Sequence, residues 1–159
     1  MSQETRSETA TTTTGLNDWQ SGVVGGLVGG VVMGALISLM NPKTIAVAIP
    51  ALYGLAPPPN GIAGWIAHMS HSAIFGVIFA AIAAGSGIDR SVFRSAIAGL
   101  VWGFVLWVVA ANIVMPIWLN AVGFPAGPTL LGFALPGSLI PHLVYGVLLG
   151  IVYPLVGGR

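Results

Sequence analysis

The chain contains three histidines, His68, His71 and His142, and all three fall inside apolar stretches long enough to cross a membrane. An ionisable side chain in such a stretch is costly, which makes it a candidate functional group. A neutral imidazole can donate or accept a hydrogen bond, carry a proton, or ligate a metal or a haem iron. Two of the three recur in similar surroundings, Ile66-Ala67-His68 and Ile140-Pro141-His142, separated by 74 residues. Small residues then follow at four-residue steps, giving His68, Ser72 and Gly76 in one stretch and His142, Gly146 and Gly150 in the other. On a helix each set forms one smooth face, and His71, three residues beyond His68, lies on much the same side.

This pattern fits two kinds of role. In the structural role each imidazole bonds a neighbouring helix, a contact worth about 0.6–2 kcal/mol in a membrane. In the functional role His68 and His142 bind a shared centre. A b-type haem is one candidate, with the small residues making room for a flat macrocycle. Copper or zinc with His71 added is another, since imidazole suits both. A small-solute path past the histidines and Asn41, Asn112 and Met115 is a third. The sequence leaves these alternatives open, so His68, His71 and His142 stand together as candidate cofactor-binding residues.

Little else in the chain could do chemistry. The cores of the predicted spans hold no Asp, Glu, Lys or Arg, which argues against a proton pump built on intramembrane carboxylates. The absence of Cys excludes disulfides, thiolate metal sites and thiol catalysis. Ser72 follows His71 directly, but sequence neighbours on a helix face different ways. No Ser-x-x-Lys or His-Glu-x-x-His occurs. The sequence therefore reads as a non-enzymatic protein with no catalytic residue and no dedicated metal-ligand set.

The elements that must position these residues follow from composition. Of 159 residues 55% are hydrophobic and 6% charged, whereas a soluble domain carries about 25% charged residues. No charge occurs in the 45 residues between Lys43 and Asp89, or in the 64 between Arg94 and Arg159. A span needs about 20 apolar residues, so each run has room for two at most. Four segments qualify: 21–40, ending at Asn41-Pro42; 62–84, ending in Gly85-Ser86-Gly87; 92–115, ending at Pro116; and 136–156, ending in Gly157-Gly158. In lipid the backbone must satisfy its own hydrogen bonds, so these are helices. A β-barrel would alternate polar and apolar residues, which these runs do not. The net charge of +1 leaves no footprint for nucleic acid.

The expected architecture is an all-α, four-helix membrane bundle made of two parallel two-helix repeats. Residues 1–18 read as a disordered polar tail that lacks the features of a cleavable signal. Residues 19–88 form a first transmembrane hairpin and 89–159 a second. Arg6, Arg90, Arg94 and Arg159 lie at one end and Lys43 at the other, so the positive-inside rule places both termini in the cytoplasm of a plasma-membrane protein. Trp19 and Trp118 then sit near opposite faces. The outer connections, 43–61 and 117–135, are apolar and rich in Pro and Gly. They would be either short interfacial helices or re-entrant segments, and the latter are tolerated only where protein buries them.

The two hairpins resemble each other. Gly26-Leu27-Val28-x-Gly30 matches Gly99-Leu100-Val101-x-Gly103 at an offset of 73, and Pro42, His68, Gly76 and Phe79 match Pro116, His142, Gly150 and Tyr153 at 74. Repeats of two spans share one orientation, so a pseudo-two-fold along the membrane normal is expected. It would put His68 and His142 at equal depth, each about seven residues, roughly 10 Å, inside its helix. Gly22, Gly26, Gly30 and Gly34 recur every four residues, and Gly25 and Gly29 widen that face. Together with Ser72, Gly76, Gly146 and Gly150 they are the expected helix-packing residues, serving either the bundle or a dimer.

The segment His71-Ser-Ala-Ile-Phe-Gly-Val-Ile-Phe-Ala, the Gly-rich third helix ending at Met115-Pro116, and His142-Leu-Val-Tyr-Gly resemble segments of the YagU-like inner-membrane proteins. The resemblance covers most of residues 62–156 and implies a small polytopic membrane fold. It implies no activity and no catalytic residue, and the acidic and Cys-bearing loops of that family have no counterpart here. The reading as a whole is a subunit that associates with the lipid bilayer, with itself or with other membrane subunits; a haem protein and a small channel or transporter are the alternatives.

Overall fold

The computed structural model describes residues 15–88, 91–124, 129–132 and 137–158. Most of the predicted tail, residues 1–14, lies outside them. The fold is all-α. Its long helices are α1 (Asp18–Met40), α2 (Gly61–Gly85), α3 (Val92–Ala121) and α4 (Leu139–Val156), each long and apolar enough to cross a membrane. The first and third begin with a charged residue in the opening turn, Asp18 and Arg94 respectively. Gly15 and Leu16 are already ordered, ahead of the expected boundary at residue 18. The Leu16 N–H donates to the Val156 carbonyl and the Gly158 N–H to the Leu16 carbonyl, both at 3.0 Å. The Tyr153 hydroxyl donates to Asp18 at 2.9 Å. The start of α1 is thus tied to the end of α4.

The start of α2 is capped by a side chain that takes up an otherwise orphaned amide. At α2 the Asn60 Oδ1 accepts from the Ala63 N–H at 3.1 Å. Replacing Asn60 by Ala is expected to cost about 1 kcal/mol, read as a lower thermal midpoint of the purified protein in detergent. An unchanged midpoint would show that the cap contributes nothing.

The third helix departs from expectation, because it runs through Pro116 to Ala121 rather than stopping there. Pro116 offers no N–H to the carbonyl four residues back, that of Asn112. The Leu131 N–H takes this carbonyl instead, at 2.9 Å. The preceding stretch, Trp107–Val114, relaxes into π-helical turns, and the Asn112 amide donates to the Trp107 carbonyl at 2.7 Å. By contrast α1 does end at Asn41, which leaves helical geometry at φ −150° and ψ 73°.

After Pro42 the chain forms a π-helical turn, Thr44–Ala48, that continues into Ile49–Ala51. Ile45, Ile49, Pro50, Ala51 and Leu52 are buried. The Ile45 carbonyl presses on Gly64 of α2, and Ala51 and Leu52 pack with Leu119 of α3. This first outer connection is therefore packed on protein, the condition a re-entrant segment requires. In the second connection, residues 125–128 and 133–136 lie outside the described residues.

Laterally the order is α2, α1, α4, α3. Close backbone approach holds it together, since lipid offers no hydrophobic drive for helix association. On one side of α1, Gly22 and Gly26 meet Ser72 and Gly76 of α2, and Gly30 and Gly34 meet Ser72, Trp65 and His68. In the second hairpin Ser95 and Gly99 of α3 meet Gly146 and Gly150 of α4, and Gly103 meets His142 and Gly146. Corresponding residues of the two hairpins make corresponding contacts. The expected helix-packing glycines are consumed inside the bundle rather than left for a dimer.

Between the hairpins the correspondence fails. Gly25 and Gly29 of α1 lie against Leu149 and Tyr145 of α4. The counterpart would be α3 against α2, yet these two helices scarcely touch. The reason is legible in the residues: at an offset of 73, Ala98 and Trp102 stand where Gly25 and Gly29 do. An indole in place of a glycine cannot admit the same approach. One seam of the bundle is closed and the other stays open.

Candidate functional site

The open seam widens, in the half of the bundle next to the outer connections, into a cavity of about 650 Å³. All three histidines line it, together with Ser72, Asn112 and Tyr145. Its apolar wall comes from Met33, Ile37, Phe75, Leu106 and Met115. The outer connection roofs it with Thr44, Val47, Ala48, Ile49 and Leu52. Ile74, Val114 and Trp118 line it and are also exposed on the outside of the chain, so the cavity reaches the lipid-facing side between α2 and α3.

Each polar group is set by its helix. His68 is buried, and its Nε2 donates to the Gly30 carbonyl of α1 at 2.9 Å. His142 sits one turn inside α4, whose described start is Leu139 rather than residue 136. Its Nδ1 donates to the Ser138 carbonyl at 2.7 Å. The two histidines expected to be equivalent therefore use opposite ring nitrogens, one across a helix interface and one within its own helix. His71 shares a hydrogen bond with the Tyr53 hydroxyl. The Tyr53 ring also stands edge-on to Trp118, with centroids 5.6 Å apart. Tyr53 thus bridges α2 and α3 across the open seam.

Ser72 donates to the His68 carbonyl at 2.8 Å, so its hydroxyl is engaged with backbone and not with an imidazole. Tyr145, which sequence reasoning did not single out, donates to the Ser72 carbonyl at 2.7 Å and is fully enclosed. Its signal was the i, i+3 spacing from His142, the same relation that links His68 to His71. Tyr53 carried no comparable signal, because its position depends on the fold of the outer connection.

The arrangement bears on the cofactor alternatives. Among the described residues no three of His, Cys, Asp or Glu converge to hold a metal ion, so His71 does not complete a ligand set with His68 and His142. A haem bound through Nε2 of both His68 and His142 would require His68 to leave the Gly30 carbonyl. His142 by itself has the orientation a ligand needs, with one nitrogen anchored to a carbonyl and the other unengaged.

Four apolar helices around a polar-lined hollow define a polytopic membrane protein. The chain belongs to the DUF6789 family, a family of unknown function whose model matches residues 16–159. Nothing in that match links it to the YagU-like proteins. No curated protein and no solved structure matches the chain.

Proposed function

We propose that this is a non-enzymatic plasma-membrane protein that holds a small uncharged molecule in the histidine-lined cavity, with both termini cytoplasmic. The cavity carries the reading. At about 650 Å³ it falls within the roughly 300–1,000 Å³ of small-molecule sites, and like them it joins an apolar wall to a few convergent polar groups. The orientation rests on Arg90 and Arg94 lying opposite Lys43. The non-enzymatic reading rests on Ser72, His68 and His142 being bonded to backbone carbonyls rather than to one another. Association with a further copy or another membrane subunit would use a surface other than the glycine faces, which are occupied internally.

The test is extraction of full-length protein purified in mild detergent, followed by mass spectrometry. About one small amphiphile per chain is expected, together with a colourless spectrum. Ala110 lines the cavity, and an Ala110→Trp variant is expected to lose most of that molecule. Equal recovery from the variant would move the molecule elsewhere, and an extract at detergent background would remove the proposal. A Soret band abolished in both His68→Ala and His142→Ala would replace it with the haem reading.

A further inference from the structure

We infer that the cavity selects an uncharged head group that donates two hydrogen bonds, of the hydroquinone or diol type, and rejects the same head without its hydroxyl hydrogens. The inference rests on the proposal that the cavity holds a small molecule, and it deepens that proposal to a ligand class. The observation behind it is the direction of the hydrogen bonds in the inner part of the cavity. His68 Nε2 donates to Gly30, His142 Nδ1 to Ser138, Ser72 Oγ to His68 and Tyr145 Oη to Ser72, and every acceptor is a backbone carbonyl. A backbone carbonyl can only accept, so each of these groups must supply the hydrogen.

That fixes what the lining has left to offer. A neutral imidazole that donates through one nitrogen keeps a lone pair on the other. His68 therefore retains an acceptor at Nδ1 and His142 one at Nε2. The hydroxyl oxygens of Ser72 and Tyr145, having given up their hydrogens, also retain only lone pairs. Of the other donor-bearing residues of the lining, Asn41, Lys43, Thr44, Trp118, Thr129 and Ser138 lie toward the outer connections, the Asn112 amide donates to the Trp107 carbonyl, and His71 is bonded to the Tyr53 hydroxyl. Around His68 and His142 the wall presents mainly acceptors.

A ligand must complement this pattern, because a buried acceptor facing another acceptor leaves both unpaired. Quinones, ketones and ethers offer acceptors only. Hydroquinones and diols offer O–H donors, and two of them can engage His68 on α2 and His142 on α4. Charge is also constrained. Among the described lining residues Lys43 is the sole formal charge, so a charged head would lie in the inner part without a partner. The apolar wall and the lateral opening past Ile74 and Val114 suit a hydrocarbon tail extending toward lipid.

Full-length protein in phosphatidylcholine nanodiscs, titrated by calorimetry, tests this with three probes: decylhydroquinone, its bis-methyl ether and 1-monodecanoylglycerol. The hydroquinone is expected to bind at least about tenfold tighter than the ether, the difference made by buried acceptors of the wall left without partners. His142→Leu is expected to reduce that preference to about twofold, while His142→Gln, which keeps a side-chain acceptor, retains most of it. Thermal midpoints of both variants show whether they fold, and the Gln variant keeps the test alive if Leu does not. Tighter binding of the monodecanoylglycerol supports the two-hydroxyl head with a lipid as its source. An ether that binds as well as the hydroquinone overturns the inference and leaves the cavity proposal standing. If no probe binds while the native extract still yields a molecule lost in Ala110→Trp, the inference fails alone. If both are empty, both fail.

Discussion

Replacing Gly146 by Ala is expected to destabilise the protein by at least about 1–3 kcal/mol, far beyond what one methyl group would do at a lipid-facing site. A Cβ at Gly146 would run into the Gly99 carbonyl oxygen and come within 2.8 Å of the Gly103 nitrogen and 2.9 Å of its Cα. All three are backbone atoms of a packed helix, and no side-chain rotation can move them aside. Relief requires α3 and α4 to separate along the line where their approach is closest. Gly76→Ala should behave alike, since a Cβ there meets the Gly22 carbonyl and the Gly26 Cα of α1. The control is Gly61→Ala, where nothing lies within 4 Å. Thermal or denaturant unfolding in mixed micelles distinguishes them. If Gly146→Ala matched Gly61→Ala, the close contact between α3 and α4 would be disproved. Near-equal losses for Gly76→Ala and Gly150→Ala would support an origin by duplication, because these two residues make corresponding contacts in the two hairpins.

The reading of spans from sequence succeeded where a single physical requirement dominates. Long charge-free runs must be helices in lipid, and α1 and α2 begin and end within a few residues of the predicted bounds. It failed at Pro116. A proline signals a helix end because it strands a carbonyl, but here Leu131 satisfies that carbonyl from the far side of a connection. Only the folded path of the chain brings the two together. The glycine spacing was legible as packing; which partner it served was not, since a stripe of small residues fits a dimer or a bundle equally well.

The candidate site was legible in part for a related reason. His68 and His142 stood out by type and by repeat position, and both do line one cavity. The expected symmetry hid what separates them. The first helices of the hairpins align at an offset of 73, which pairs Gly29 with Trp102. Gly29 lies against Tyr145 on the closed seam, whereas α2 and α3 scarcely touch. The difference between the seams goes with a residue that does not line the cavity, which a search for chemistry-bearing side chains passes over.

Tyr145 is the residue through which the two hairpins are expected to depend on each other most. It is 1% exposed. Its ring and backbone fill the space over Gly29 of α1, and its hydroxyl reaches the Ser72 carbonyl of α2 at 2.7 Å. One side chain of the second hairpin therefore touches both helices of the first, on the one seam that is closed. Tyr145→Ala is expected to cost about 3–5 kcal/mol, the range for deleting a large buried aromatic. Tyr145→Phe keeps the ring and loses only the interhelical hydrogen bond, for about 1 kcal/mol. The two variants separate packing from polarity when unfolded side by side. If Phe were as damaging as Ala, the hydrogen bond to Ser72 rather than the ring would join the hairpins. If Ala were as mild as Phe, the seam would be held elsewhere along α1 and α4, with Leu149 against Gly25 the next contact to test. Tyr145→Phe also removes an acceptor from the cavity wall without opening the seam. It should therefore weaken hydroquinone binding while leaving the bundle folded, an outcome that packing alone does not produce.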